Sequence, residues 1–185
     1  MLYQDWDILL TGKRIRITPV EQRDDEAYGR LMFGTQYDHY ADILKGESLT
    51  GIEKILKHTA DDEMHAIRLI GDDRFIGWIT LQKDMEGRPD IGISLQSDFQ
   101  NQGIGPEAVR LFVNRLYSDY GIQTVYVRIS EDNLQSQKAF AKLGAVLDKV
   151  EPHYLFVSLA KRLPDEFTQE QSVPNLLFYH IPLPV

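Results

Sequence analysis

The stretch "SLQSDFQNQGIGPEAVRLF", residues 94–112, decides the reading of this chain. It leaves a strand-like run, passes through Asp98-Phe99-Gln100-Asn101, sets glycines at 103 and 105, and enters a long helix. Val109, Phe112, Val113, Leu116, Tyr117 and Tyr120 recur at helical spacing and form one apolar stripe. Pro106 suits the first helical position, and Gly121 is placed to end the helix. The first N–H groups of a helix lack intrahelical partners, and the helix dipole adds positive charge there. Glycines ahead of it let successive N–H groups close on an anion with no Cβ in the way. "QNQGIG" is therefore a candidate diphosphate cradle. It is neither a Walker loop, lacking Gly-Lys-Ser/Thr, nor the dinucleotide fingerprint. On these residues alone, a plain strand-to-helix loop remains an equal reading.

Working outward, "KRIRITPV" (13–20) alternates with period two, and "DDEAYGRLMF" reads as a helix with acids in its first turn. Residues 35–60 read as partly helical around "GIEKILKH". "HAIRLI" (65–70), "RFIGWITLQK" (74–83) and "DIGISLQ" (90–96), separated by Gly-, Asp- and Pro-rich turns, read as an antiparallel meander. After the long helix come the strand "TVYVRIS" (124–130) and a second helix capped near Asp132 or Asn133 and stopping at Gly144. Strands "AVLDKV" and "LLFYHI" (176–181) follow, with a helical insertion "LFVSLAKRLPDEF" between them. The pattern is a mixed sheet with helices on its faces.

At 185 residues the chain reads as one domain with a single core. Apolar residues at 43% and charged residues at 26% fit a globular protein rather than a disordered one. No apolar run approaches the ~20 residues of a spanning helix, and "MLYQDWDILL" lacks the basic start of a secretory signal. The expected place is the cytoplasm, with no membrane partner. Cysteine is absent, excluding a disulfide framework and thiolate metal sites. The histidines at 39, 58, 65, 153 and 180 show no ligand spacing, so no metal is expected. A formal net charge of −8 argues against a nucleic-acid surface and fits a cationic or neutral partner, with plain solubility an equal reading.

Gln100, Gly103 and Gly105 resemble the Gln/Arg-x-x-Gly-x-Gly/Ala signature of the GNAT superfamily of acyl-CoA-dependent N-acyltransferases. "DNLQSQKAFAKLGA" resembles its second signature through Asn133, Ser136, Phe140, Lys142 and Gly144. "TGKRIRITPVEQRD" is similar to the first strand of the branch that includes the ribosomal-protein N-terminal acetyltransferases (RimJ/RimL-like). The resemblance covers residues 11–150 and implies an α/β (α+β) fold: a mixed, mostly antiparallel central sheet of about seven strands flanked by helices. Residues 1–185 then form a single domain of this type.

The resemblance further implies that the strand before the glycines is bulged and splays from "TVYVRIS", with acyl-CoA in the split. Ser94, Leu95 and Gln96 would meet the pantetheine, Gln100 belongs to the signature, and N–H groups at Gln102, Gly103, Ile104 and Gly105 would meet the diphosphate. Asn133 would help hold the pantetheine arm, and Lys138 and Lys142 are either phosphate partners or solvated lysines. The activity implied is acetyl transfer from acetyl-CoA to a primary amine of a small molecule or a protein N terminus. Many relatives protonate the departing thiolate with a tyrosine, where this chain carries Phe140; Ser136 is the candidate in its place. Glu151 is the candidate base, with Asp90 and His153 as rivals. Tyr37, His39 and Tyr40 are candidates for an acceptor wall or for packing, and Trp78 reads as core. The missing tyrosine keeps a second hypothesis open, a non-catalytic acyl-CoA sensor or scaffold. Segment 152–175 is a candidate acceptor cover, homodimer contact or plain crossover.

Overall fold

The computed structural model describes residues 9–33, 63–84, 86–152 and 175–185. The expected helix around 35–60, the insertion within 153–174, and Tyr37, His39, Tyr40 and His153 lie outside the described residues. The strands are β1 (Leu10–Thr11), β2 (Ile15–Pro19), β3 (Glu63–Leu69), β4 (Phe75–Lys83), β5 (Pro89–Leu95), β6 (Thr124–Ser130), β7 (Val146–Pro152) and β8 (Asn175–Pro182). The α-helices among the described residues are α1 (Asp25–Phe33), α2 (Ile104–Tyr120) and α3 (Leu134–Ala141).

The eight strands among the described residues join one sheet in the order β1-β2-β3-β4-β5-β6-β8-β7. Its neighbours pair antiparallel except β5 with β6, which are parallel. The eighth strand beyond the expected seven is β1, whose two residues are too short to show alternation.

Alternation distributes the side chains between two faces. Ile67, Ile79, Leu81, Ile91, Val125, Val127 and Ile129 join α2 in the main core. Ala66 and Phe75 meet Tyr28 of α1 in a second cluster, with Trp78 partly buried against it. On α2 the predicted stripe is buried at Val109, Phe112, Val113 and Leu116, each contributing about 1.5–3 kcal/mol. Tyr117 and Tyr120 of the same stripe are exposed, while Ile104 and Ala108, not counted in it, are buried. Phe140 and Leu143 anchor α3 and its following turn to the main core.

The splay between β5 and β6 is present. The two strands are in register at one position, Asp90 with Tyr126, and the pairing goes no further toward Leu95. The expected bulge is not in β5, which keeps unbroken register with β4 from Pro89 to Leu95. Register shifts fall instead at Ile67/Arg68 and Leu147/Lys149. The two strands part directly after that position without a bulge, because each follows its other neighbour: β5 stays paired with β4 as far as Leu95, and β6 with β8 as far as Ser130.

Candidate active site

A cleft of about 370 Å³ runs between the open edge of β5 and the facing side of α3, and closes on the amino end of α2. Ile93, Ser94 and Leu95 line one wall, and Asn133, Ser136 and Phe140 the other. Gln100, Gly103, Gly105 and Pro106 stand at its end, and Lys138 and Lys142 also border it.

The loop holds its shape by its own bonds. Gln100 Nε2 donates to the Leu95 carbonyl at 2.8 Å, and Gln102 Nε2 donates to the Asp98 carbonyl at 2.6 Å. Asn101 and Gly103 have φ of 58° and 76°, left-handed values that asparagine tolerates and glycine takes freely. Helix α2 begins at Ile104, so Pro106 sits third rather than first. Its missing N–H removes one donor from the first turn. Glu107 N–H makes the first bond back to the Gly103 carbonyl at 3.2 Å. Ahead of it, no described group accepts from the N–H of Gln102, Gly103, Ile104 or Gly105. A Cβ on Gly105 would meet only Leu95 Cδ1, at 3.7 Å, so the protein itself leaves that space open.

The β5 wall follows from strand alternation. Gln96 N–H donates to the Ile76 carbonyl on the β4 side, so Ser94 N–H points the same way. The N–H and C=O groups of Ile93 and Leu95 therefore face the gap, and the Leu95 carbonyl there is the one Gln100 occupies. Of the expected strand contacts, Leu95 offers its backbone to the cleft, Ser94 lines it, and the Gln96 N–H is committed elsewhere. Ile93 was not anticipated. Its signal was the period-two pattern of "DIGISLQ", which alternates backbone edges as well as side chains.

On the opposite wall, the Asn133 Oδ1 accepts from Ser136 N–H at 3.0 Å, capping α3 and setting the serine at the cleft. Ser136 is half-buried, and its hydroxyl has no hydrogen-bond partner among the described residues. Phe140 is buried and forms part of both cleft and core.

The base candidates are placed less favourably. Glu151 lies within β7, not after it, is exposed, and pairs with Lys149 Nζ at 3.0 Å. The sheet order puts β7 three positions from β5, roughly 14 Å by strand spacing. Asp90 is buried with both oxygens engaged: Oδ1 accepts from Gln82 Nε2 at 2.9 Å and Arg128 Nη2 at 3.0 Å, and Oδ2 from Arg128 Nε at 3.1 Å. That geometry makes it a strut between β4, β5 and β6. At the other end, burial works against the charged form of Glu107, but bonds from the Arg14 and Lys13 backbones and the Arg14 side chain outweigh it, holding its carboxyl below the ordinary value. Among the described residues, no group of three or more His, Asp or Glu side chains could hold a metal ion. No described helix is long and apolar enough to cross a membrane.

Comparison with known proteins agrees with this arrangement. Residues 14–146 match a family model described as an acetyltransferase (GNAT) domain. The chain is 28% identical over 151 residues to "Probable N-acetyltransferase YjcK" of Bacillus subtilis (strain 168), spanning 74% of this chain and 82% of that one. Its fold is similar to that of a GNAT-family acetyltransferase from Bacillus anthracis, with a TM-score of 0.68 at 15% identity over 95% of this chain and 98% of that one. It is also similar to Mycobacterium smegmatis RimJ in complex with CoA-disulfide, with a TM-score of 0.63 at 16% identity over 96% and 88%. The match to the family model spans most of the chain, both signatures fall on the walls of one cleft, and the protein belongs to the GNAT acetyltransferase family as an acyltransferase enzyme.

Proposed function

We propose that this enzyme moves an acetyl group from acetyl-CoA to a primary amine, of a small molecule or a protein N terminus, by direct attack on the thioester. The observation that carries the reading is the cleft with a β5 edge that no described strand pairs along one wall and a row of N–H groups without an acceptor among the described residues at its end. The diphosphate would take the N–H groups of Gln102, Gly103, Ile104 and Gly105, where no side chain intrudes. The pantetheine would lie along Ile93 and Leu95 as an added strand, beside Ser94 and facing Asn133 and Ser136. Lys138 and Lys142 border the same cleft and would supply positive charge to the nucleotide phosphates.

In the reaction the amine nitrogen bonds to the carbonyl carbon, the C–S bond breaks, and the sulfur leaves with the electron pair. The Ile93 N–H faces the gap where the carbonyl oxygen gains charge. Ser136 gives its hydroxyl proton to the thiolate, a role Phe140 has no proton to fill. It recovers one from solvent, into which the attacking nitrogen sheds its second proton as the amide forms. The acceptor, an ammonium of pKa ~8 to 10, must lose a proton before attack. Glu151 stands too far for contact, so its part is to receive that proton through water. The acidic net charge of −8 favours cationic acceptors approaching from solution.

Calorimetric titration with acetyl-CoA, with dephospho-CoA in comparison, tests the cofactor half. Micromolar binding is the expected result, followed by thiol release in a screen of amines. No binding by folded protein free of co-purified CoA overturns the proposal.

A further inference from the structure

The sequence marks Gly103 and Gly105 but is silent on what orients the peptides between them. The structure supplies a candidate from the other end of the chain. The turn between β1 and β2 is seated on the first turn of α2, and Gly12 lets it sit there: a Cβ would stand 2.7 Å from Glu107 Oε1 and from Leu111 Cδ1. Glu107 Oε1 accepts from the backbone N–H of Lys13 at 2.9 Å and of Arg14 at 3.0 Å. Glu107 Oε2 accepts from Arg14 Nε and Nη2, each at 2.8 Å. The remaining arm of the guanidinium, Nη1, donates to the Gln102 carbonyl at 2.7 Å.

That last bond fixes a peptide plane. In a trans peptide the carbonyl and the following N–H point to opposite sides. With the Gln102 carbonyl held toward Arg14, the Gly103 N–H is turned away from it. The cleft lies on that side, for Gly103 lines it and Arg14 does not. If the Gln102–Gly103 peptide were to rotate, a carbonyl oxygen would replace the N–H and repel an anion. Glycine at 103, already at φ 76°, offers little resistance to such a rotation.

We propose that Arg14, locked by Glu107, is a positioning residue for acyl-CoA: it holds the Gln102 carbonyl and thereby presets the Gly103 N–H toward the diphosphate. The proposal rests on the assignment of the cleft to acyl-CoA. Arg14 acts through Gln102, and the planar fork is what the task requires, since one guanidinium must satisfy a carboxylate and a carbonyl at once.

The test uses the full chain as wild type, Arg14→Gln, Arg14→Lys and Glu107→Gln. Calorimetry reads CoA affinity, and the backbone amide resonance of Gly103 reads the peptide, with CoA and with inorganic pyrophosphate as probes. In wild type both probes are expected to move the Gly103 amide resonance. Arg14→Gln should weaken CoA binding by ~10- to 100-fold, the loss of one or two charge-assisted bonds, and abolish that response. Arg14→Lys, with a single ammonium, should fail to restore it, and Glu107→Gln, which frees the arginine, should fall between. The half-exposed arginine makes unfolding an unexpected result; if Arg14→Gln unfolds, Glu107→Gln carries the same readout. Variants that bind CoA as wild type does, or lose affinity with the Gly103 response intact, overturn the positioning role alone. Wild type that binds neither probe overturns the acyl-CoA assignment and this inference with it.

Discussion

An arginine locked to a carboxylate holds each end of the cleft, yet the two pairs sit in different surroundings. At the cradle, the Arg14 side chain is 47% exposed and that of Glu107 16%. At the splay, Arg128 is 23% exposed and Asp90 only 3%, and the pair ties together strands that are in register at a single position. Water around the first pair replaces much of what is lost when one partner goes. Around the second it cannot, and a lone buried charge is expensive. One kind of contact should therefore serve binding at the cradle and folding at the splay.

The hardest blow to this contrast is Asp90→Asn. It should destabilise the protein by about 3 kcal/mol in urea unfolding, the low end for a broken buried pair because Arg128 keeps some contact with water. Replacing both partners, Asp90→Leu with Arg128→Met, should recover most of that loss. Arg14→Gln should cost under ~1 kcal/mol in the same assay. Equal costs for Asp90→Asn and Arg14→Gln would remove the distinction between the two ends.

Next in size is Gly105→Val, which sharpens the cradle end. Since a Cβ there meets only Leu95 Cδ1 at 3.7 Å, unfolding should hardly change. The branched side chain would instead occupy the space before the N–H row and weaken CoA binding by ~100-fold, about two charge-assisted bonds. Gly103→Val is the poorer probe, because φ 76° strains any β-branched residue whatever the ligand does. Unchanged CoA affinity in folded Gly105→Val would leave the cradle without a ligand.

Between the ends, Ser136→Ala should lower turnover by ~100-fold with CoA affinity unchanged, the low end for acid catalysis. Full turnover would reduce the serine to a spacer. Glu151→Gln should do less, about 10-fold, because a proton relayed through water to a distant strand is only one route out. The deficit should be greatest at pH values where the amine is mostly protonated, and a pH–rate profile superimposable on wild type would remove Glu151 from the reaction.

The cradle end was the legible one because its signals are local. Glycine spacing, the helix mouth and the 3.6-residue stripe lie within residues 100–120, and the structure buries Val109, Phe112, Val113 and Leu116 as the period requires. Periodicity gives direction, not the reach of the covering layer, which is why Tyr117 and Tyr120 end up exposed on the same stripe. At the splay end the parting of the strands was expected, but the ion pair that ties them was hidden by sequence distance. Asp90 next to Pro89 reads as a turn acid or a base; its partner Arg128 is 38 residues away, and only strand register unites them. Glu107 and Arg14, 93 residues apart, were hidden in the same way. Ile93 escaped notice for another reason: its contribution is a backbone edge, and an isoleucine side chain carries no trace of it.

The smallest effect is a pH dependence at the cradle, with Asp84, in the turn between β4 and β5, as the comparison. Glu107 and Asp84 both have carboxyls held below their ordinary values of 4.5 and 3.8; in each case burial opposes the charged form and is outweighed by hydrogen bonds, from Arg14 and Lys13 to the first and from Arg88 and Glu86 to the second. A carboxyl lowered on folding adds stability that is fully present above its unfolded value and is lost as pH falls through its folded value. The Glu107 contribution should therefore be constant from neutral pH down to about 4.5 and shrink below it, with that of Asp84 shrinking at lower pH. Glu107→Gln keeps an acceptor oxygen but not the charge, so the loss at neutral pH should be ~1 kcal/mol. Its unfolding free energy should converge on that of wild type as the medium is acidified below 4.5, the two curves running parallel above it. Curves that stay parallel into acid would show that charge on Glu107 is not what holds the β1–β2 turn to the cradle, and the locking of Arg14 would then rest on shape and neutral hydrogen bonds alone.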